Sequence, residues 1–294
     1  MTAATQAAPV EVRPGGRFSG LVRGVWGDAS GRIGLIICAL VVLVVVASAA
    51  GLLPYDPIAQ HPADRLQSPS SAYWFGTDQF GRDVASRTFT GLMSSLRVAA
   101  VAVGLAAFFG ALAGVTAGYF GRWVDAVIGR LADVLFAFPA ILLALAVVAA
   151  LGPGWLNTGI AIAVVFIPIF IRVSRGPVLS VRSSTYVEAG RVLGFSHTRL
   201  LFRHVLPNVL APIIVQISLA LSWAILTESA LSFLGLGTQP PEPSLGLMVS
   251  DARNLVTTAW WTLAAPAVAI VVAVIGFNLL GDGLRSALDP AEDK

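Results

Sequence analysis

The sequence predicts an all-α protein that crosses a membrane six times, and three observations carry that reading. Hydrophobic residues make up 56% of the 294-residue chain, while Asp, Glu, Lys and Arg make up only 12%. Soluble domains carry about a quarter of charged residues, so the charge deficit is the stronger signal. Mean hydropathy is +0.81, and uncharged runs recur that are long enough for the roughly 20 residues a membrane helix needs. A disordered chain, a coiled coil and an ordinary cytosolic enzyme are thereby excluded.

Residues 1–32 are polar and Gly-rich, with Arg13, Arg17, Arg23 and Arg32, and read as a cytoplasmic arm with a short interfacial helix near Phe18–Trp26. Residues 33–53 form the first span. Ala47-Ser48-Ala49 resembles a cleavage site, but the long arm and long apolar run favour an uncleaved anchor. Residues 54–97 read as an external loop with short helices. A core of five further spans is predicted over 98–280, at about Val98–Phe120, Leu131–Leu151, Leu156–Ile171, Val209–Leu231 and Thr262–Leu280. Within it lie a cytoplasmic loop, 172–208, and an external loop, 232–261; residues 281–294 are a cytoplasmic tail.

Orientation follows from the basic residues, which concentrate on the cytoplasmic side. With the N-terminus inside, the inner segments hold 14 of the 19 Lys and Arg, and the outer ones only Arg65, Arg82, Arg87, Arg97 and Arg253. Both termini are therefore expected inside. Trp74, Trp260 and Trp261 fall where an outer aromatic belt is expected.

The rare residues exclude chemistry. The sole lysine is Lys294, so no G-x-x-x-x-G-K-[ST] phosphate loop can exist, and Schiff-base chemistry lacks its amine. The single cysteine, Cys38, rules out an intrachain disulfide or a Cys-based metal site and reads as a small packing residue. His61, His197 and His204 are too scattered for a metal centre.

The segment Arg172–Asn208 is the longest inner loop, with six Arg and one acid. It reads as helix, turn, helix. Thr185-Tyr186-Val187-Glu188 fits a capping box, Gly194 is placed to end the first helix, and Ser196 can cap a second that runs to Pro207. Leu200, Leu201 and Val205 form one face; Arg199 and Arg203, four apart, form another. Such a hairpin suits a groove on another protein. An amphipathic helix resting on acidic headgroups has the same outline, and so does a DNA-reading helix-turn-helix, which attachment between two membrane spans argues against.

Glu188-Ala189-Gly190, then Gly194, then Leu206-Pro207 resembles the EAA loop of ABC-importer permeases. Two positions depart from the pattern: Gly190 stands where Ala is usual, and His204 where many relatives have Ile. Phe75-Gly76-Thr77-Asp78 with Gly81-Arg82-Asp83-Val84 and Ser86-Arg87 is similar to the external signature of the dipeptide/oligopeptide/nickel permeases. So are Glu228–Gly237 and Arg203–Asn208, and the likeness, which runs from the first span to about Pro290, fits the second, C-type subunit best.

This resemblance implies a type I ABC-importer permease fold and a binding-protein-dependent importer. A second permease, two ATPases and an external binding protein would complete it, with ATP and Mg held by the ATPases and no cofactor in this chain. Glu188, Ala189, Gly190, Gly194, Arg199, Arg203, His204, Leu206 and Pro207 would then be the ATPase-coupling residues. The competing reading, a carrier driven by an ion gradient, would need charged or unwound positions near mid-membrane, and a membrane-embedded enzyme would need a catalytic set; neither is evident.

Glu228 is the one acid well inside a span, roughly 30 Å from its inner end at 1.5 Å per residue, which places it at the outer interface. A structural bond to Arg82, Arg87 or the outer loop is expected, ahead of a place at the substrate entrance or a proton relay. Asp78, Arg82, Asp83 and Arg87 read as ion pairs fixing a short external helix, with gating as the alternative. Gly110, Gly114 and Gly118 form a small-residue face for packing within the subunit or against a partner. Pro139 and Pro168 interrupt the third and fourth spans.

Overall fold

The structure, a computed structural model, describes residues 24–288; the expected interfacial helix near Phe18–Trp26 and the end of the tail lie largely outside them. It contains ten helices with measured bounds: α1 (Ala29–Ala49), α2 (Val84–Phe120), α3 (Arg122–Phe136), α4 (Ala140–Leu151), α5 (Trp155–Arg182), α6 (Thr185–Val192), α7 (His197–Leu200), α8 (Leu206–Phe233), α9 (Leu245–Ala252) and α10 (Trp261–Leu288). Five stretches are long and apolar enough to cross a membrane, with α7, a π turn at Leu201–Val205 and α8 counted as one; the bent pair α3 and α4 adds a sixth only when the two are counted together as one span.

Asp28 caps α1 by accepting from the Gly31 amide at 2.8 Å. The buried face of α1 recurs at Gly31, Gly34, Cys38 and Val41, a helical stripe laid on α10. Gly31 meets Gly283 almost backbone to backbone, and a Cβ on Gly276 would stand 2.5 Å from Ile37. Close approach of this kind is how membrane helices gain contact without a hydrophobic drive. Cys38 is buried in that seam, a packing residue.

α2 is the longest uninterrupted helix and packs most extensively on α5. Gly110, Gly114 and Gly118 meet Ile167 and Phe170, Ile171 and Ser174, and Arg175 and Val178 in turn, so the glycine face is spent inside this subunit. The core joins α1, α2, α4, α5, α8 and α10 through residues such as Val98, Ile162, Phe170, Ile225 and Phe277.

Four expectations change. The external loop does not reach 97 or hold several short helices: its helical content before α2 is the three-residue turn Pro62–Asp64, and α2 begins at Val84. Its first turns hold Ser86, Arg87, Thr88, Ser94 and Ser95, all buried, so hydropathy gave no hint of a helix there. The third span is not one helix. Pro139 caps α4 instead of continuing α3, and the two turn by 93°. The fourth and sixth spans are longer than predicted, because α5 runs through Pro168 and Pro177 to Arg182, and α10 to Leu288, into the predicted tail.

Candidate functional site

The hairpin predicted over 172–208 is built from α6, α7 and the start of α8. α6 ends in a Schellman motif: Gly194 has φ +75°, its amide donates to the Arg191 carbonyl, and the Phe195 amide donates to the Gly190 carbonyl, both at 3.0 Å. Only glycine takes that backbone without strain. Ser196 then caps α7, accepting from the Arg199 amide at 3.3 Å. Gly190 is where the two helices touch, since a Cβ there would come within 2.8 Å of Leu200 Cδ2. A residue with no side chain stands where the motif favours Ala because Leu200 and Phe195 occupy the space.

Two expectations about this hairpin fail. Thr185 is not the N-cap of α6. Ser184 is, and its hydroxyl turns back to donate to Val181 at 2.6 Å because α5 ends only two residues earlier. Glu188 thus has no capping duty and lies exposed. Nor does a helix end at Pro207. The chain passes from α7 through the π turn into α8, with Leu206 and Pro207 as its first two residues, where a missing amide hydrogen costs nothing.

Beneath the hairpin lies a second core. Val187, Leu200 and Val205 close on Val115 and Tyr119 of α2, Val178 of α5, and Val209 and Ile213 of α8. Polar bonds add to it. Tyr119 Oη lies 3.0 Å from His197 Nδ1, and Asn208 Nδ2 donates to Tyr186 Oη at 3.2 Å and to the His204 carbonyl at 2.6 Å. His204 stacks on Phe195 with centroids 6.0 Å apart, and the Arg199 guanidinium lies 4.1 Å over the same ring.

The hairpin is therefore anchored on three long helices while its outer face stays open. That face exposes Glu188, Ala189, Arg191, Arg199 and Arg203, with Val192 88%, Leu193 72% and Phe202 57% accessible. Three bare apolar side chains thus lie together among arginines and one acid. Sequence reasoning missed Tyr119 and Phe195, which carry no motif and matter only through their contacts.

At the other end, Asp78 gathers the external charges. It accepts from Arg82 Nε at 2.6 Å and from the Phe80 and Arg82 amides at 2.8 and 3.0 Å, and Arg87 Nε stands 3.6 Å away. Arg87 is buried and donates to the Pro57 carbonyl at 2.9 Å. Asp83 caps α2 by accepting from the Ser86 amide at 2.8 Å, and Trp261 Nε1 donates to the Thr77 carbonyl at 3.1 Å. These charges fix the head of α2 and the loop before it, not a separate short helix. Nearby, burial pushes the Asp251 carboxyl above the usual range, opposed by Arg82 and Arg87.

Glu228 reaches neither Arg82 nor Arg87. It is fully buried, accepts from Ser232 Oγ at 2.6 Å, and shares its pocket with Ser95 of α2 and Ser229. Of the structural bonds expected, those to the arginines are not made, while Ser232 is the first residue of the predicted loop 232–261; beside it, Gly246 of α9 is pressed so closely on the Ser229 carbonyl that no Cβ could be added. A cavity of about 430 Å³ opens at the α3–α4 bend against α5 and α8, with Gln216 and Thr227 as polar groups among apolar walls. Among the described residues, no group of His, Cys, Asp or Glu gathers to hold a metal ion.

The family model for the "binding-protein-dependent transport system inner membrane component" matches residues 110–294, which include the whole hairpin. The chain belongs to that family. This permease is 48% identical to the dipeptide transport system permease protein DppC of Alkalihalophilus pseudofirmus over 88% of its own length and 84% of the relative's. It is 44% identical to the glutathione transport system permease protein GsiD of Pectobacterium atrosepticum, covering 85% and 84% of the two chains. Identity to the di/tripeptide transport system permease protein DppC of Pseudomonas aeruginosa is 41%, with 88% of each covered. The permease is thus a multi-pass inner-membrane component of a transport system, and the hairpin lies in the part that defines the family.

Proposed function

We propose that this permease is the second membrane-path subunit of an ATP-driven importer of di- or oligopeptides, and that its hairpin is where ATPase motion enters. The observation that carries the reading is the hairpin's division of labour: an inner face locked onto α2, α5 and α8, and an outer face of Glu188, Arg191, Val192, Leu193 and Phe202 left open. A docked ATPase pulling on that face would move three long helices together. The similarity to permeases named for dipeptides, di/tripeptides and glutathione supports the cargo class.

In this reading, a second permease completes the path, two ATPases bind ATP and Mg, an external binding protein delivers peptide, and both termini and the hairpin are cytoplasmic. This chain binds no cofactor. The cavity holding Gln216 and Thr227 is its share of the path, and the Asp78 cluster with Glu228 keeps the external end in shape.

Co-expression with the partner subunits and reconstitution in proteoliposomes test this. Glu188→Arg, Gly194→Val and Pro207→Leu should each leave the permease in the membrane while cutting peptide uptake and peptide-stimulated ATP hydrolysis. Full uptake and ATPase docking in all three variants would refute the coupling role.

A further inference from the structure

α3 carries an apolar stripe that the rest of the described chain leaves bare. At 100° per residue, Trp123, Val127, Leu131 and Val134 fall in one sector, and they are 74%, 50%, 60% and 53% accessible. The opposite sector faces the bundle, with Ala132 buried. Its two acids are both committed there: Asp125 is gripped by Arg175 through Nε and Nη2, the latter at 2.7 Å, and Asp133 accepts from Arg172 at 2.8 Å. Arg130 is exposed at the edge of the stripe, Arg122 is exposed at the first position of the helix, and neither has an acidic partner among the described residues.

The bend sets the direction of this helix. α4 runs back along α5: three residues separate its last residue from Trp155, and its first turn shares a cavity wall with Val165–Phe170, about one α4 length further down α5. Since α3 turns 93° from α4, it lies across the bundle axis, at the level of Arg172 and Arg175. A helix across the bundle cannot serve as a membrane crossing.

We infer that α3 is an interfacial helix resting on the inner leaflet, with the Trp123–Val127–Leu131–Val134 stripe in the acyl boundary and Arg122 and Arg130 on anionic lipid phosphates. Charge decides for lipid over a second protein chain. Pairing of Asp125 and Asp133 with α5 strips α3 of negative charge on its outer side, which leaves the arrangement of an interfacial anchor, cations beside a Trp-bearing apolar face. The stripe also continues into exposed Phe120 and Phe138 at either end of the helix. The assignment to the inner leaflet rests on the orientation proposed above.

Spin labels on the complete transporter test this. In a Cys38→Ser background, single cysteines at 127, 130, 131, 132 and, on the exposed loop before α2, 68 are labelled in nanodiscs of equimolar phosphatidylglycerol and phosphatidylethanolamine. Labels at 127 and 131 should relax several-fold more with oxygen than with a water-soluble nickel chelate. The label at 130 should do the reverse, and that at 132, on the buried face, should be shielded from both. Replacing phosphatidylglycerol with phosphatidylcholine should shrink the oxygen advantage at 127, and Arg122→Gln with Arg130→Gln should abolish that lipid dependence. Shielding of 127 and 131 from both reagents would mean that a second subunit covers the stripe, and nickel access there would mean water; either overturns the inference. Cysteine 68, which should react from outside with an impermeant reagent in proteoliposomes, tests orientation alone, so a failure of sidedness is separable from a failure of the interfacial reading.

Discussion

Gly194 offers the cleanest quantitative test of the hairpin. An added Cβ there would meet nothing within 4 Å, so a substitution is felt through the backbone alone. At φ +75° an L-residue pays about 1–2 kcal/mol. Ala regains about 0.4–1 kcal/mol by stiffening the unfolded chain, for a net cost of about 1 kcal/mol. Asn tolerates the left-handed region and should cost less, whereas a β-branched Val should cost about 2 kcal/mol or more. At 1.4 kcal/mol per decade, Val weakens the closed turn roughly 30-fold and Ala about fivefold. Hydrogen exchange of the Gly194-position and Phe195 amides, both bonded in the Schellman turn, reads this directly. The expected order of protection is Gly, Asn, Ala, Val, and peptide-stimulated ATP hydrolysis should fall in the same order. Equal protection in all four, or Asn as damaging as Val, would refute the claim that backbone conformation holds the hairpin closed.

Three further outcomes are expected. Glu228→Gln keeps the volume and an acceptor for Ser232 and should leave the melting temperature near that of the parent, whereas Glu228→Ala opens a void beside buried serines and should destabilise by about 2–4 kcal/mol in thermal scans. Gly114→Leu puts a side chain where the Ile171 backbone and Ser174 already stand, and should abolish the folded, detergent-stable protein, as judged by size-exclusion chromatography. Tyr119→Phe removes the bond to an exposed histidine that water can replace; a loss of about 1 kcal/mol is expected in thermal unfolding, with uptake reduced more than ATP hydrolysis.

What was legible in the sequence was whatever depends on composition or on a residue's own conformation. The apolar runs marked the crossings, and Gly194 announced a left-handed turn because almost nothing else serves there. The errors arose where partners far along the chain decide. The head of α2 is polar by composition yet buried by α9 and the external loop, so the helix began fourteen residues before the predicted span. Thr185 fits a capping box, but the nearness of α5 moved the cap to Ser184. The run from Leu131 to Leu151 is apolar throughout apart from Asp133, and hydropathy is blind to the right-angle turn that Pro139 imposes. Glu228 stood out as an acid inside a span, but its neighbours could not be read from spacing, because Ser95 is more than a hundred residues away.

α2 differs in one respect from α5, α8 and α10, the three helices of 28 residues: each of those contains proline, and α2 contains none across 37 residues. Its length of about 55 Å exceeds the hydrocarbon thickness, so it reaches from one aqueous side to the other. One end is clamped by the Asp83 cap among the Asp78 charges, and the other holds His197 of the hairpin through Tyr119. A rod so mounted is a lever: a tilt of about 5° about one end carries the other by ~5 Å. A pull on the hairpin and a change of shape at the external face are then one motion measured at two places, and neither side can be remodelled without the other registering it.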